Sequence, residues 1–210
     1  MYYVCLSALG VENAQSQRDN WSYAEIRIDL VKPTSQQLID LLADTKVSYI
    51  ATCRPGNDFN NQQSLEMLVL AAKNGADYVD IEIERDAADI AVLKDVCKNN
   101  PHCKLIISYH NFDETPDLDT LDKVISKADS LGADCVKIAC KSNSEYDNAK
   151  LLSLYVRDEN IVAFGMGKIG AITRVASVKC GAPFTYVAPD DGSCTAPGQL
   201  SLSKIKSLEL

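Results

Sequence analysis

The stretch YAEIRIDL, residues 23–30, alternates its side chains as a β-strand does. Glu25, Arg27 and Asp29 fall on one face, and Ala24, Ile26, Ile28 and Leu30 on the other. ADYVDIEIE, residues 76–84, repeats the pattern, with Asp80, Glu82 and Glu84 opposed to Val79, Ile81 and Ile83. A strand with one apolar and one charged face has two homes. In an antiparallel sheet the charged face meets water. In a parallel barrel the apolar face packs outward on helices and the charged face points inward, where charge is tolerated only if paired. Helical sequence between the strands favours the barrel.

Working outward, six more short runs rich in β-branched and aromatic residues read as strands: 2–9, 47–54, 104–111, 133–140, 160–167 and 183–189. Between and after them lie helical patterns at 34–43, 64–73, 86–98, 117–131, 144–157, 171–180 and 202–208. Thr34 is a natural cap for the first of these, with Leu38, Leu41 and Leu42 on one face. The gap between the first two strands is short and polar and gives the weakest helical pattern. Repeated β-α alternation implies parallel strands joined by right-handed crossovers. The expectation is a single-domain (β/α)8 TIM barrel over residues 1–210, near the lower size for that fold. A doubly wound open sheet is the alternative. The first β-α turn, LSALGVENAQ (residues 6–15), lacks the glycine-rich phosphate loop expected of it.

The composition is that of an ordinary globular protein, 46% apolar and 24% charged, which excludes a disordered, collagenous or coiled-coil chain. A net charge of −8 argues against non-specific binding to nucleic acid or to an anionic membrane. No apolar run is long enough to span a bilayer, and MYYVCLSALG has no basic n-region, so the expected location is cytoplasmic. None of the eight cysteines forms a CxxC pair and several lie in apolar runs, so they read as reduced, buried thiols.

Lys137 is the lone charge in the apolar run CVKIAC. Loss of hydration there favours the neutral amine, the form that attacks a ketone to make a Schiff base. Snorkelling or an ion pair is the structural alternative. His110 ends the fifth strand, beside the strand of Lys137, where it could act as general acid and base or be a hydrogen-bonded structural residue. His102 precedes that strand, at the other end, and reads as a surface residue. Arg27, Arg54 and Arg174 lie at or after strand ends. Their guanidinium forks suit a carboxylate substrate, or internal pairs with Glu25, Asp80 or Glu82. GMGKIG (residues 165–170) lacks the GKS or GKT of a phosphate loop and reads as close backbone packing. No metal site is expected, because the acidic strand faces have no histidine pair beside them.

In order along the chain, EIRID (25–29), CRP (53–55), DIE (80–82), SYHNF (108–112), VKIA (136–139), GMGKIGAITR (165–174) and APGQLS (196–201) resemble type I 3-dehydroquinate dehydratase. That family consists of Schiff-base enzymes of the shikimate pathway of aromatic amino acid biosynthesis. The resemblance covers nearly the whole chain. It implies a cofactor-free lyase acting on 3-dehydroquinate, in which Lys137 forms an iminium at the C3 ketone. His110 would remove the C2 proton and protonate the departing C1 hydroxyl, a syn loss of water. Glu82 would orient His110, and Arg174 would clamp the substrate carboxylate. Glu25, Arg27, Arg54, Thr195 and Gln199 would contact substrate hydroxyls or hold the surrounding network, Phe184 and Met166 would wall the site, and Asp80 would pair internally. A homodimer is also implied. Two departures concern the loop over the substrate: PGNDF, with Asp58 at an acid's spacing, replaces a common EGG-type sequence, and Thr195 replaces the usual serine. The rival readings are a non-catalytic barrel that binds a small carboxylate and a Schiff-base aldolase. The weak GMGKIG loop argues against the phosphate anchor an aldolase usually needs.

Overall fold

The computed structural model describes residues 1–5, 11–12, 21–157, 160–190 and 194–208. Among these residues eight strands alternate with helices. In chain order they are β1 (Tyr2–Cys5), β2 (Tyr23–Arg27), α1 (Ile28–Val31), α2 (Ser35–Leu42), β3 (Ser48–Thr52), α3 (Asn61–Lys73), β4 (Tyr78–Glu82), α4 (Ala87–Asn99) and β5 (Lys104–Asn111). There follow α5 (Leu118–Leu131), β6 (Cys135–Lys141), α6 (Glu145–Ser153), a 3-10 turn (Leu154–Val156), β7 (Ile161–Met166), α7 (Gly167–Lys179), β8 (Thr185–Val187) and α8 (Leu202–Leu208). The strands run in the order β7-β6-β5-β4-β3-β2-β1-β8. Sequential neighbours, with the last strand joined to the first, are the order of a (β/α)8 barrel. A doubly wound sheet would reverse direction at a switch point.

The chain divides into two compact units. One comprises Val4–Ile81 and Arg85–Ile106, and the other Met1–Tyr3, Glu82–Glu84 and Ile107–Leu210. In the first, β2 and β3 pair in parallel from Tyr23↔Ser48 to Arg27↔Thr52, and β3 pairs with β4 through Thr52↔Asp80. Ala24, Ile26, Ile50, Ala51, Val79 and Ile81 bury these strands against Leu38, Leu41 and Leu68 of the helices. Thr34 and Asn60 close capping boxes with Gln37 and Gln63, and Asp86 caps α4. Each such cap contributes about 1 kcal/mol.

Two strands end earlier than their alternation suggests. Residues Ile28–Val31 turn into the one-turn helix α1, so Asp29 leaves the strand face and Leu30 is exposed. Likewise β4 stops at Glu82, and Glu84 is an exposed turn residue. Alternation records which side chains face one way; it does not record where the hydrogen-bonded ladder ends.

In the second unit β6 and β7 pair in parallel from Val136↔Ile161 to Lys141↔Met166. Helix α7 starts at Gly167, four residues before the expected Ala171, so GMGKIG is the end of a strand and the first turn of a helix. A Cβ on Gly170 would lie 2.4 Å from the Gly165 carbonyl carbon, so the two backbones touch there, as the close-packing reading expects. Asp117 caps α5, and Gly132 ends it in the left-handed conformation at φ 92°. The expected end of the first strand at Leu9 lies outside the described residues. So do the LSALGVENAQ turn and the first helical gap, apart from residues 11–12, which are helical. No helix among the described residues is long and apolar enough to cross a membrane.

Candidate active site

Lys137 is the third residue of β6 and is only 6% exposed. Its Nζ lies 4.3 Å from the centroid of the Tyr186 ring, over the ring face. Tyr186, on β8, also accepts a hydrogen bond at its backbone oxygen from Arg174 Nη1, at 3.4 Å. Arg174, on α7, is 1% exposed, and its Cζ sits 4.2 Å from the Phe164 ring centroid. The Phe164 and Tyr186 rings are 6.1 Å apart and tilted by 59°. Two buried cations therefore rest on two neighbouring aromatic faces. The negative quadrupole of each ring offsets part of the desolvation of its cation, by about 0.5–2 kcal/mol.

The remaining expected residues of this unit stand at or after strand C-termini. His110 is the penultimate residue of β5, half-buried, with its ring parallel to that of exposed Phe112 at 6.1 Å. Glu82 ends β4, and Met166, buried, ends β7. Buried Gln199 accepts at Oε1 from the Thr195 N–H at 2.9 Å and from Thr195 Oγ1 at 3.0 Å. The same loop is tied to the start of α7. Gly167 donates its N–H to Pro197 O at 3.0 Å, and Gly198, at φ 76°, passes so close that a Cβ would lie 2.2 Å from Gly167 O. Phe184 is fully buried, edge-on to Tyr3 at 5.1 Å and to Tyr186 at 5.7 Å. The ring beneath Lys137 is that of Tyr186, which sequence reasoning did not single out. The available signal was strand alternation: residues 184 and 186 share a face of β8.

The expected residues of the other unit are held by partners within it. Glu25, buried, accepts from Thr52 Oγ1 at 2.8 Å and from Cys5 Sγ at 2.9 Å. Arg27 grips Asp29 through two bonds, of 3.0 and 2.6 Å. Burial works against the Arg27 charge, but Asp29 and Glu25 outweigh it and hold the guanidinium above its ordinary value. Arg54 Nη2 donates to fully buried Asp80 at 2.7 Å, the internal pairing expected for that carboxylate. A cavity of about 190 Å³ beside this pair is lined by Asp29, Arg54, Asp58 and Phe59, among others. Asp58 forms an exposed ion pair with Lys32 at 2.7 Å.

All eight cysteines are free. Six are buried as expected, whereas Cys180 and Cys194 are exposed. Burial pushes the Cys53 and Cys140 thiols up to about 12, so they remain protonated and unreactive at neutral pH.

Strand order and connectivity place the protein among the (β/α)8-barrel enzymes, and the comparisons agree. The crystal structure of 3-dehydroquinate dehydratase from Geobacillus kaustophilus is similar, with a TM-score of 0.84 at 21% identity over 99% of this chain and 88% of that one. That from Aquifex aeolicus matches with a TM-score of 0.82 at 27% identity, over 99% of this chain and 96% of that one. Residues 7–208 match the family described as type I 3-dehydroquinase. A 3-dehydroquinate dehydratase of Methanococcus maripaludis is 34% identical over 190 residues, which is 88% of this chain and 85% of the relative. The chain belongs to the type I 3-dehydroquinase family, a family of hydro-lyases.

Proposed function

We propose that the protein dehydrates 3-dehydroquinate to 3-dehydroshikimate by syn elimination through a Schiff base on Lys137. The observation that carries this reading is the buried Lys137 amine on the Tyr186 ring, coupled through that residue to the buried Arg174 guanidinium. Arg174 binds the substrate carboxylate and so orients the ring of the substrate. The neutral Lys137 amine adds to the C3 carbonyl, and loss of water from the carbinolamine gives an iminium. That cation is an electron sink for the neighbouring C2–H bond.

His110 takes the C2 proton, and the bonding pair moves in to form an enamine. The enamine pair then expels the C1 hydroxyl, which leaves as water with the proton carried by His110. One water hydrolyses the conjugated iminium, releasing product and restoring the amine. Glu82, ending the strand next to that of His110, orients the imidazole. Thr195 and Gln199 contact substrate hydroxyls, and Met166 and Phe184 contribute apolar wall. Lys137, His110, Glu82 and Arg174 all belong to one compact unit.

The test is sodium borohydride trapping with 3-dehydroquinate, read by mass spectrometry, alongside the absorbance of the conjugated product. A reduced adduct on the Lys137 peptide and turnover are expected. Turnover without an adduct, or an adduct on another residue, would overturn the lysine mechanism. Binding without turnover would favour a carboxylate-binding protein.

A further inference from the structure

We propose that Tyr186 is a positioning residue for the reaction, whose ring face holds the Lys137 nitrogen while it is cationic. The inference rests on the Schiff-base reading above and extends it to a residue that reading does not use.

Three observations converge on this side chain. Its ring lies 4.3 Å below Lys137 Nζ, within the range of an effective cation–π contact. Its backbone oxygen takes the Arg174 Nη1 bond, so one residue sets the spacing between the amine and the guanidinium. Its orientation is itself locked: Phe184 meets the ring edge-on at 80°, and Phe164 leans on it at 59°. Tyr186 and its two aromatic neighbours are all buried, so the ring is held by packing and has little room to swing away.

The chemistry gives such a ring a role at one stage in particular. The nitrogen enters the covalent step as a neutral amine and leaves it as an iminium cation. A ring face attracts the cation and is nearly indifferent to the amine. It therefore stabilises the covalent intermediates more than the bound ground state, which raises kcat and leaves KM to the carboxylate clamp. A leucine of similar bulk would fill the space but would carry no quadrupole.

The experiment uses the full chain with phenylalanine at position 186 as the reference, then phenylalanines bearing one, two and three ring fluorines at the same site. Fluorination preserves shape while draining the negative face, so a purely structural role does not respond to it. We expect kcat to fall stepwise, by about tenfold in total, with KM little changed. The borohydride-trapped fraction of Lys137 should fall in parallel. A kcat that stays flat across the series, or a loss confined to KM, overturns the role of Tyr186. The unsubstituted protein separates the two readings. If it forms the Lys137 adduct and the fluorinated series is flat, only the Tyr186 inference fails. If it forms no adduct, the Schiff-base reading fails and this inference with it.

Discussion

Gly198→Ala displaces the Thr195–Gln199 loop without touching any group that reacts. An added Cβ would sit 2.2 Å from Gly167 O, whereas a comfortable carbon–oxygen contact is about 3.3 Å, so the loop or the start of α7 must move by about 1 Å. The φ of 76° adds the ordinary left-handed penalty for a residue with a Cβ, about 1–2 kcal/mol. A shift of 1 Å in groups that orient a substrate costs about a hundredfold in rate. Steady-state turnover of 3-dehydroquinate, with a thermal melt of the same samples, should show kcat/KM about a hundredfold down and Tm lower by about 5 °C. Gly181→Ala is the matched control. Its φ is 110° and nothing lies within 4 Å of the new Cβ, so it should lower Tm comparably while leaving kinetics unaltered. If Gly198→Ala turns over within threefold of the parent, the loop does not position the substrate and the reasoning is wrong.

Lys137→Ala should lose about a thousandfold or more in kcat, about 4 kcal/mol of barrier, because it removes the covalent step; activity within tenfold of the parent would exclude a Lys137 Schiff base. Asp80→Ala leaves Arg54 without its fully buried partner and should cost about 3 kcal/mol, read as a lower urea midpoint at unchanged slope. Acid stability should depend on Asp147. Burial tends to raise that carboxyl, but Lys150 and the N–H groups of Asn143 and Ser144 bring it below its ordinary 3.8. A carboxyl depressed on folding contributes stability above its unfolded value and loses it as pH falls through the folded one. Unfolding titrations from pH 5 downward should therefore show a steeper acid loss in the parent than in Asp147→Asn, and coincident curves would refute the assignment.

Much of this protein is legible locally. Side-chain alternation and helical periodicity mark all eight strands and most helices, because each needs only residues within a turn or two of one another. Thr34, Asp86 and Asp117 mark helix starts for the same reason: a cap bonds three residues ahead or fewer. Burial of Lys137 follows from its apolar neighbours along β6. Partner choice is another matter. The Arg27 partner is Asp29, reached because the strand breaks into a helical turn just after Arg27, a break that the unbroken alternation of EIRIDL conceals. The ring that meets Lys137 comes from β8, and nothing near residue 137 names it. Gly198 reads as an ordinary loop glycine until Gly167 O is found against it. Periodicity is written into neighbouring residues, and it determined the architecture and the position of the lysine. Contacts between distant strands depend on how whole elements settle against one another, so only the tertiary structure decided which face, partner or backbone each functional residue meets.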